Sequence, residues 1–408
     1  MIPNKIYAKF IYGISFLDFL GMALIFPMFG NHLKSLGASH FTIGLLGTIY
    51  AGIQIISGPL IGSWSDIKNR KSVLKTVLLL CGVGYLCLGF VESIIYILLI
   101  RIYLGCFKHI QGICKAMIVD ICPLENHGEM LARTAVLATV GFNIGPIFGG
   151  YISELPNGFT YLCTITFLFY LVNIYLCSFL PSMEPTKREP VNNTLISKVK
   201  QEFILVTNNL KQVNWTENGH LFAMRLLFGI SHSLFFHIEA LYLKEFFNLG
   251  PKHVGYVISF FSFVQTCIVL SLSQINRLLY GSNPNCFRRV FHFFVILFIS
   301  NLCLYFVHDF RFFLLWLIPF SSSLAVLRIS TTELLLKNSD KSKKGTFSGV
   351  SNSIMSISRF VTPVMSGIIS DTLSTEISIL LPSIPAVIGA VLTFKNMKKE
   401  VYYEKKKR

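Results

Sequence analysis

Along this chain, apolar stretches of about twenty residues alternate with short polar breaks, and about twenty apolar residues are what a helix needs to cross a bilayer core. Twelve such stretches are legible, at 9–29, 42–64, 73–91, 94–118, 131–152, 159–180, 221–243, 254–273, 289–307, 312–335, 346–370 and 376–394. They predict an all-α membrane protein with twelve transmembrane helices, here called spans 1 to 12. A repeat organises them. Residues 145–154 read GPIFGGYISE and residues 362–371 read TPVMSGIISD. Pro146, Gly150, Ser153 and Glu154 thus map onto Pro363, Gly367, Ser370 and Asp371 at a constant offset of 217 residues. Because that offset is close to half the chain, it predicts two pseudo-symmetric six-helix bundles, at 1–180 and 221–394. The linker at 181–220 places Leu195, Val199, Phe203, Val206 and Leu210 on one helical face, which predicts a short amphipathic helix on the membrane surface.

Composition removes the soluble alternatives: 53% of the 408 residues are hydrophobic and only 14% charged, with a mean hydropathy of +0.60. The net charge of +16 would suit nucleic acid if it were gathered in one patch. It is instead spread over alternate loops. Of the 36 Lys and Arg residues, 27 fall in the two termini, in every second loop and at the span ends that adjoin them, four fall in the opposite loops, and five lie deeper within spans. That asymmetry predicts a multi-pass protein with both termini in the cytosol and no nucleic-acid partner. The tail at 395–408 holds seven basic residues and is expected to rest on anionic lipid. The chain has no paired catalytic carboxylates, nucleophile motif, phosphate loop or metal-spaced His and Cys cluster, so no enzyme activity, no metal and no cofactor are expected. A monomer is expected.

Charges inside the spans carry the functional reading, because a charge at the centre of a membrane helix costs roughly 2.5–3.5 kcal/mol on insertion scales. Span 1 carries Asp18, and span 4 carries Arg101, Gly105, Lys108, Gly112 and Lys115 at steps of four and three. On a continuous helix those five share one face. With a rise of about 1.5 Å per residue, Asp18 falls at a depth between Arg101 and Lys108, so it is expected to meet one of them. A buried carboxylate that gains and loses a cation can load and unload a proton. His109 falls off the stripe and reads as an interhelical contact.

Span 7 repeats the rhythm with Arg225, Gly229, His232, Phe236 and Glu239. Arg225 is expected to snorkel to the interface, and Glu239 reads equally as interfacial or buried. His232 is the deeper group and suits either a proton role or a structural hydrogen bond. Span 11 places Asn352, Ser356 and Arg359 on a third polar stripe, and Arg328 and Glu333 of span 10 mirror Lys115 and Asp120 at an offset of 213. Between spans 2 and 3, Gly62, Asp66, Asn69, Arg70 and Lys71 make an ordered turn in which Asn69 is expected to be left-handed. Span 5 carries Gly141, Gly145, Pro146, Gly149 and Gly150, a cluster that predicts a bend at the seam between the bundles, with close helix packing alone as the alternative.

These motifs together resemble the major facilitator superfamily, and within it the drug:proton antiporter branch that includes the tetracycline exporters. Asp18 to Pro27 is similar to the branch's first-span signature, Gly62 to Lys71 to the superfamily loop motif, Arg101 and Gly105 to the fourth-span motif, and Gly141 to Gly150 to the antiporter motif of span 5. Ile67, Asn69 and Ala132 depart from those patterns, and the matching loop at Gln274 to Arg277 lacks an Asp. The resemblance implies two six-helix bundles around a midplane cavity and transport by alternating access. It also implies that Asp66 faces the start of span 11 as part of a cytosolic gate, in which Arg70 pairs with Asp120. The expected activity is secondary transport of a small organic solute with the proton as coupling ion, the solute being anionic or zwitterionic because deep cations outnumber Asp18. A passive facilitator, or a receptor or scaffold that moves nothing, are the alternative readings.

Overall fold

The computed structural model describes residues 3–182, 204, 207–208, 210–281, 286–339 and 344–407. Among these residues the chain is helical throughout and has no strand. Twelve helices are long and apolar enough to cross a membrane: Ile6–Ser35, His40–Ile67, Arg70–Gly89, Ile94–Ile121, His127–Ser153, Gly158–Ser178, Trp215–Phe247, Pro251–Tyr280, Cys286–Phe306, Phe310–Lys337, Lys344–Thr372 and Thr375–Met397. They are spans 1 to 12 of the sequence reading, in the same order and with ends shifted by at most seven residues. Leu195, Val199, Phe203 and Val206 of the expected linker helix lie outside the described residues.

The helices pack as two compact units. Unit 1 comprises Met1–Ala38, Ile49–Phe203 and Leu249–Ser259, and unit 2 comprises Ser39–Thr48, Ile204–Asn248 and Phe260–Arg408. The same pairings recur in both. In unit 1, span 1 packs on spans 5 and 6, and span 3 on spans 4 and 6; in unit 2, span 7 packs on spans 11 and 12, and span 9 on spans 10 and 12. This is the internal symmetry that the 217-residue repeat predicts. The core of unit 2 is aromatic, with Phe228, Phe235, Phe294, Phe313 and Phe320 fully buried. Ile95, Leu270 and Leu278 stay exposed, as a surface meant for lipid requires.

Two local differences from the sequence reading matter for the site. Span 4 is not one helix but two, Ile94–Phe107 and Ile110–Ile121, interrupted at Lys108 and His109. Asn69 is not left-handed: with φ −59° and ψ 122° it caps span 3, its side chain accepting from the Lys71 N–H at 2.9 Å. The cap satisfies a donor that a left-handed residue would have left to water. Left-handed asparagines stand instead at Asn157 and Asn248, where span 6 begins and span 7 ends.

Candidate functional site

In unit 1 the chemistry gathers around Asp18, whose residue surface is 3% exposed. Oδ1 is paired with Lys108 Nζ and accepts from the Tyr170 hydroxyl at 3.0 Å. Oδ2 accepts from Gln111 Nε2 at 2.8 Å. The ammonium of Lys108 also donates to Tyr170 Oη at 2.7 Å and lies 5.3 Å from the centre of the Tyr170 ring. The carboxylate therefore has a cation and two neutral donors, which is what a buried charge needs to be tolerated.

The interruption of span 4 lies at the same residues. Lys108 leaves the helical region with ψ 64°, and its carbonyl accepts from Gln54 Nε2 of span 2 at 3.2 Å. Ser57, one turn further along span 2, donates to the Gly105 carbonyl at 2.9 Å and lies 2.8 Å from His109 Nε2. Side chains of span 2 thus take the carbonyls that the break frees, the usual condition for a broken membrane helix. His109 is the interhelical group expected of it. The single cationic face of span 4 is overturned, because its spacing holds only on an unbroken helix. Arg101 does not meet Asp18. Its guanidinium lies over the Tyr50 ring at 3.9 Å and the Phe29 ring at 4.8 Å, while Lys115 is exposed and Gly112 borders open space.

At one end of unit 1, Arg70 binds two carboxylates, Asp66 at 2.8 Å and Asp120, and donates to Ser65 Oγ at 3.3 Å. The Ser65 hydroxyl in turn donates to the Gly62 carbonyl at 2.7 Å. Lys71 reaches the Ser178 carbonyl at 2.8 Å, tying span 3 to the end of span 6. Unit 2 has a counterpart that the sequence reading missed: Arg289, 1% exposed, is paired with Glu333, which Lys337 also binds at 2.7 Å. The signal was present, since Arg288 and Arg289 open span 9 as Arg70 and Lys71 open span 3.

The buried carboxyl of unit 2 is Glu239, 2% exposed. Its Oε1 has no hydrogen-bond partner, and among the described residues no cation lies within ion-pair distance of it. Seven residues earlier on the same helix, His232 sits between the rings of Phe228 and Phe236, with centroids at 5.9 and 6.1 Å. Arg225 does not snorkel. It is 8% exposed and donates to Ser351 Oγ at 3.2 Å, the Arg328 carbonyl at 2.9 Å and Thr331 Oγ1 at 3.1 Å. Three acceptors from spans 10 and 11 hold the guanidinium inside, where the interface would have offered only lipid headgroups and water. Arg328 donates to Gln265 Oε1 at 3.3 Å. Asn352 and Arg359 lie exposed on span 11, and Arg359 donates to Ser356 Oγ at 3.3 Å.

The repeat has a structural meaning in each unit. In span 5, Gly141, Gly145 and Gly149 lie against the backbone of span 1 at Phe16, Ala23 and Leu24, so this row serves close packing. Pro146 and Gly150 lie instead against Gly255 and Lys252 at the start of span 8, where Glu154 accepts from the Lys252 N–H at 3.4 Å. In unit 2, Pro363 and Gly367 lie against Gly44 and His40 at the start of span 2. There Asp371 accepts from the His40 and Phe41 N–H groups at 2.9 and 2.7 Å. Two residues equivalent by the 217-residue offset each place a carboxylate at a helix start, where unsatisfied N–H groups favour negative charge.

The model of the Major Facilitator Superfamily matches residues 11–287. An uncharacterised MFS-type transporter of Methanocaldococcus jannaschii, MJ1560, is 23% identical over 93% of this chain and 95% of its own length. The quinolone resistance protein NorA of Staphylococcus aureus is 24% identical over 60% of each chain. Among solved structures, a bacterial homolog of the human lysosomal transporter Spinster, in an inward-facing conformation, superposes with a TM-score of 0.75 at 14% identity over 97% of both chains.

Proposed function

Because the chain belongs to the major facilitator superfamily, whose fold and relatives are those of membrane transporters, we propose that it is a secondary transporter that moves a small organic solute in exchange for, or together with, protons. One observation carries the coupling: two carboxyls are buried in spans, one held by a cation and the other, among the described residues, by none. Asp18 has Lys108, Tyr170 and Gln111. Among the described residues Glu239 has no cation within ion-pair distance and its Oε1 no donor, so a proton is the partner that its surroundings call for. In this reading Glu239 carries the proton in the conformation described, and Asp18 takes one when Lys108 leaves it. Arg101, Lys108, His232, Asn352 and Arg359 belong to the same apparatus, and the cations among them favour an anionic or zwitterionic solute.

The loop around Asp66, Arg70, Lys71 and Asp120 acts as a cytosolic gate, with both termini and the basic tail on that side of the membrane, the tail against anionic lipid. The branch is that of the drug:proton antiporters, supported by the similarity to NorA and by the motifs of spans 1, 4 and 5. The wording at Lys34–Gly37 and Phe107–His109 is similar to major facilitator superfamily domain-containing protein 9, and the chain acts as a monomer.

The experiment is uptake of labelled organic anions, zwitterions and cations into proteoliposomes, with and without an imposed proton gradient. Gradient-driven uptake that Asp18→Asn abolishes is the expected result. Uptake indifferent to the gradient would make the protein a passive facilitator and remove the coupling.

A further inference from the structure

Among the described residues Arg101 is a cation without an anion. Its Nε is buried with no acceptor, and among the described residues no carboxylate lies within ion-pair distance of the guanidinium. Asp18, the acid whose depth along the membrane suits it, is occupied by Lys108. The buried charges of this region are therefore two cations and one anion, which leaves a single positive charge over. What surrounds Arg101 is aromatic. Tyr50 and Phe29 cover its guanidinium at 3.9 and 4.8 Å, and Phe29 is itself 8% exposed. Tyr50 Oη accepts from Gln54 Nε2 at 3.0 Å, which keeps its own hydroxyl proton for another acceptor. Arg101 retains part of its surface.

We propose that Arg101 is a binding residue for the carboxylate of a small aromatic acid, gripped by the edge of the guanidinium and the Tyr50 hydroxyl, with the ring of the acid against the aromatic side chains there. The chemistry is specific. An unpaired cation within a membrane span is costly, and a ligand that brings the missing negative charge removes that cost on binding. A planar guanidinium matches a planar carboxylate through two parallel hydrogen bonds, which a spherical anion cannot use. Contact with the Tyr50 and Phe29 rings holds the guanidinium in place beforehand, so little freedom is lost when the acid arrives. The inference rests on the transport reading, for which it names the class of solute and the residue that reads its charge.

The test is equilibrium binding of labelled benzoate, phenylacetate and salicylate to the full chain in nanodiscs, with benzamide, chloride and sulfate as competitors. Saturable binding of at least one acid is expected, undisturbed by equal concentrations of benzamide or chloride. Arg101→Gln should weaken it by at least about tenfold, the scale of a lost charge-assisted pair, and Arg101→Lys by less. Tyr50→Phe should weaken it about threefold, the scale of one weak hydrogen bond. Equal competition by benzamide overturns the proposal with the wild-type chain alone, whatever the variants do. Displacement by chloride makes this an inorganic-anion site and overturns it as well, as do unchanged binding by Arg101→Gln and the absence of saturable binding by all three acids. Binding as described without uptake into proteoliposomes would remove the transport reading and leave this site. Uptake of some other solute by a chain that binds none of the acids would remove this site and leave transport.

Discussion

Asp18 in unit 1 and Glu239 in unit 2 are both carboxyls buried in membrane spans, and their surroundings are opposites. Asp18 is met by an ammonium and two neutral donors, whereas Glu239 Oε1 is met by no donor at all. Burial alone therefore does not assign a role. A carboxyl with a full set of partners is part of the structure and can change its proton only when the set is broken. One without partners is free to exchange a proton at no structural cost. The two units repeat each other's helix pairings and their Arg–carboxylate pairs at Arg70–Asp120 and Arg289–Glu333, so the contrast is between sites and not between architectures.

The contrast can be broken first at Lys108. Lys108→Met leaves Asp18 buried without its cation and should destabilise the protein by about 3–5 kcal/mol, whereas Asp18→Asn combined with Lys108→Met should cost much less than the sum of the singles. Thermal unfolding of the purified variants measures both, and additive losses would mean that the pair is not coupled. Glu239→Gln should instead leave the unfolding temperature almost unchanged, because no partner is orphaned. A loss comparable to that of Lys108→Met would show that Glu239 has a structural partner.

A smaller effect is expected at the two capping carboxylates. Asp371→Asn removes a charge from two N–H groups at 2.9 and 2.7 Å, and Glu154→Gln removes one from a single N–H at 3.4 Å. The first should cost about 1 kcal/mol and the second a few tenths, read as a difference in unfolding temperature. Equal losses would remove the ranking. The smallest effect is expected for Tyr170→Phe, which takes a neutral donor from Asp18 but leaves Lys108 and Gln111 in place. It should lower stability by about 1 kcal/mol or less and leave gradient-driven uptake intact.

Much of this was legible in the sequence, for reasons that differ from residue to residue. The twelve spans follow from apolar length, and the symmetry follows from one repeated segment. Asp18 and Lys108 could be matched because depth along a helix is a simple function of residue number. The same arithmetic gave Arg101 equal standing, and nothing in the spacing showed that Tyr50 and Phe29 would hold it. The break at Lys108 and His109 has no proline or glycine to announce it; it depends on Gln54 and Ser57 of another span, which only the tertiary packing brings near. The burial of Arg225 is hidden from the sequence for the same reason, its acceptors lying 103 to 126 residues away. The linker's pattern falls largely outside the described residues, and in span 11 pattern alone does not say what a polar stripe faces.

The most direct measurement compares two activities of Glu239→Gln in proteoliposomes: accumulation of solute driven by an imposed proton gradient, and exchange of solute at equal concentration on both sides with no gradient. Exchange that persists while driven accumulation is lost is the predicted result, since the variant keeps the fold and loses the group that carries the proton. Driven accumulation at the wild-type rate would contradict the account.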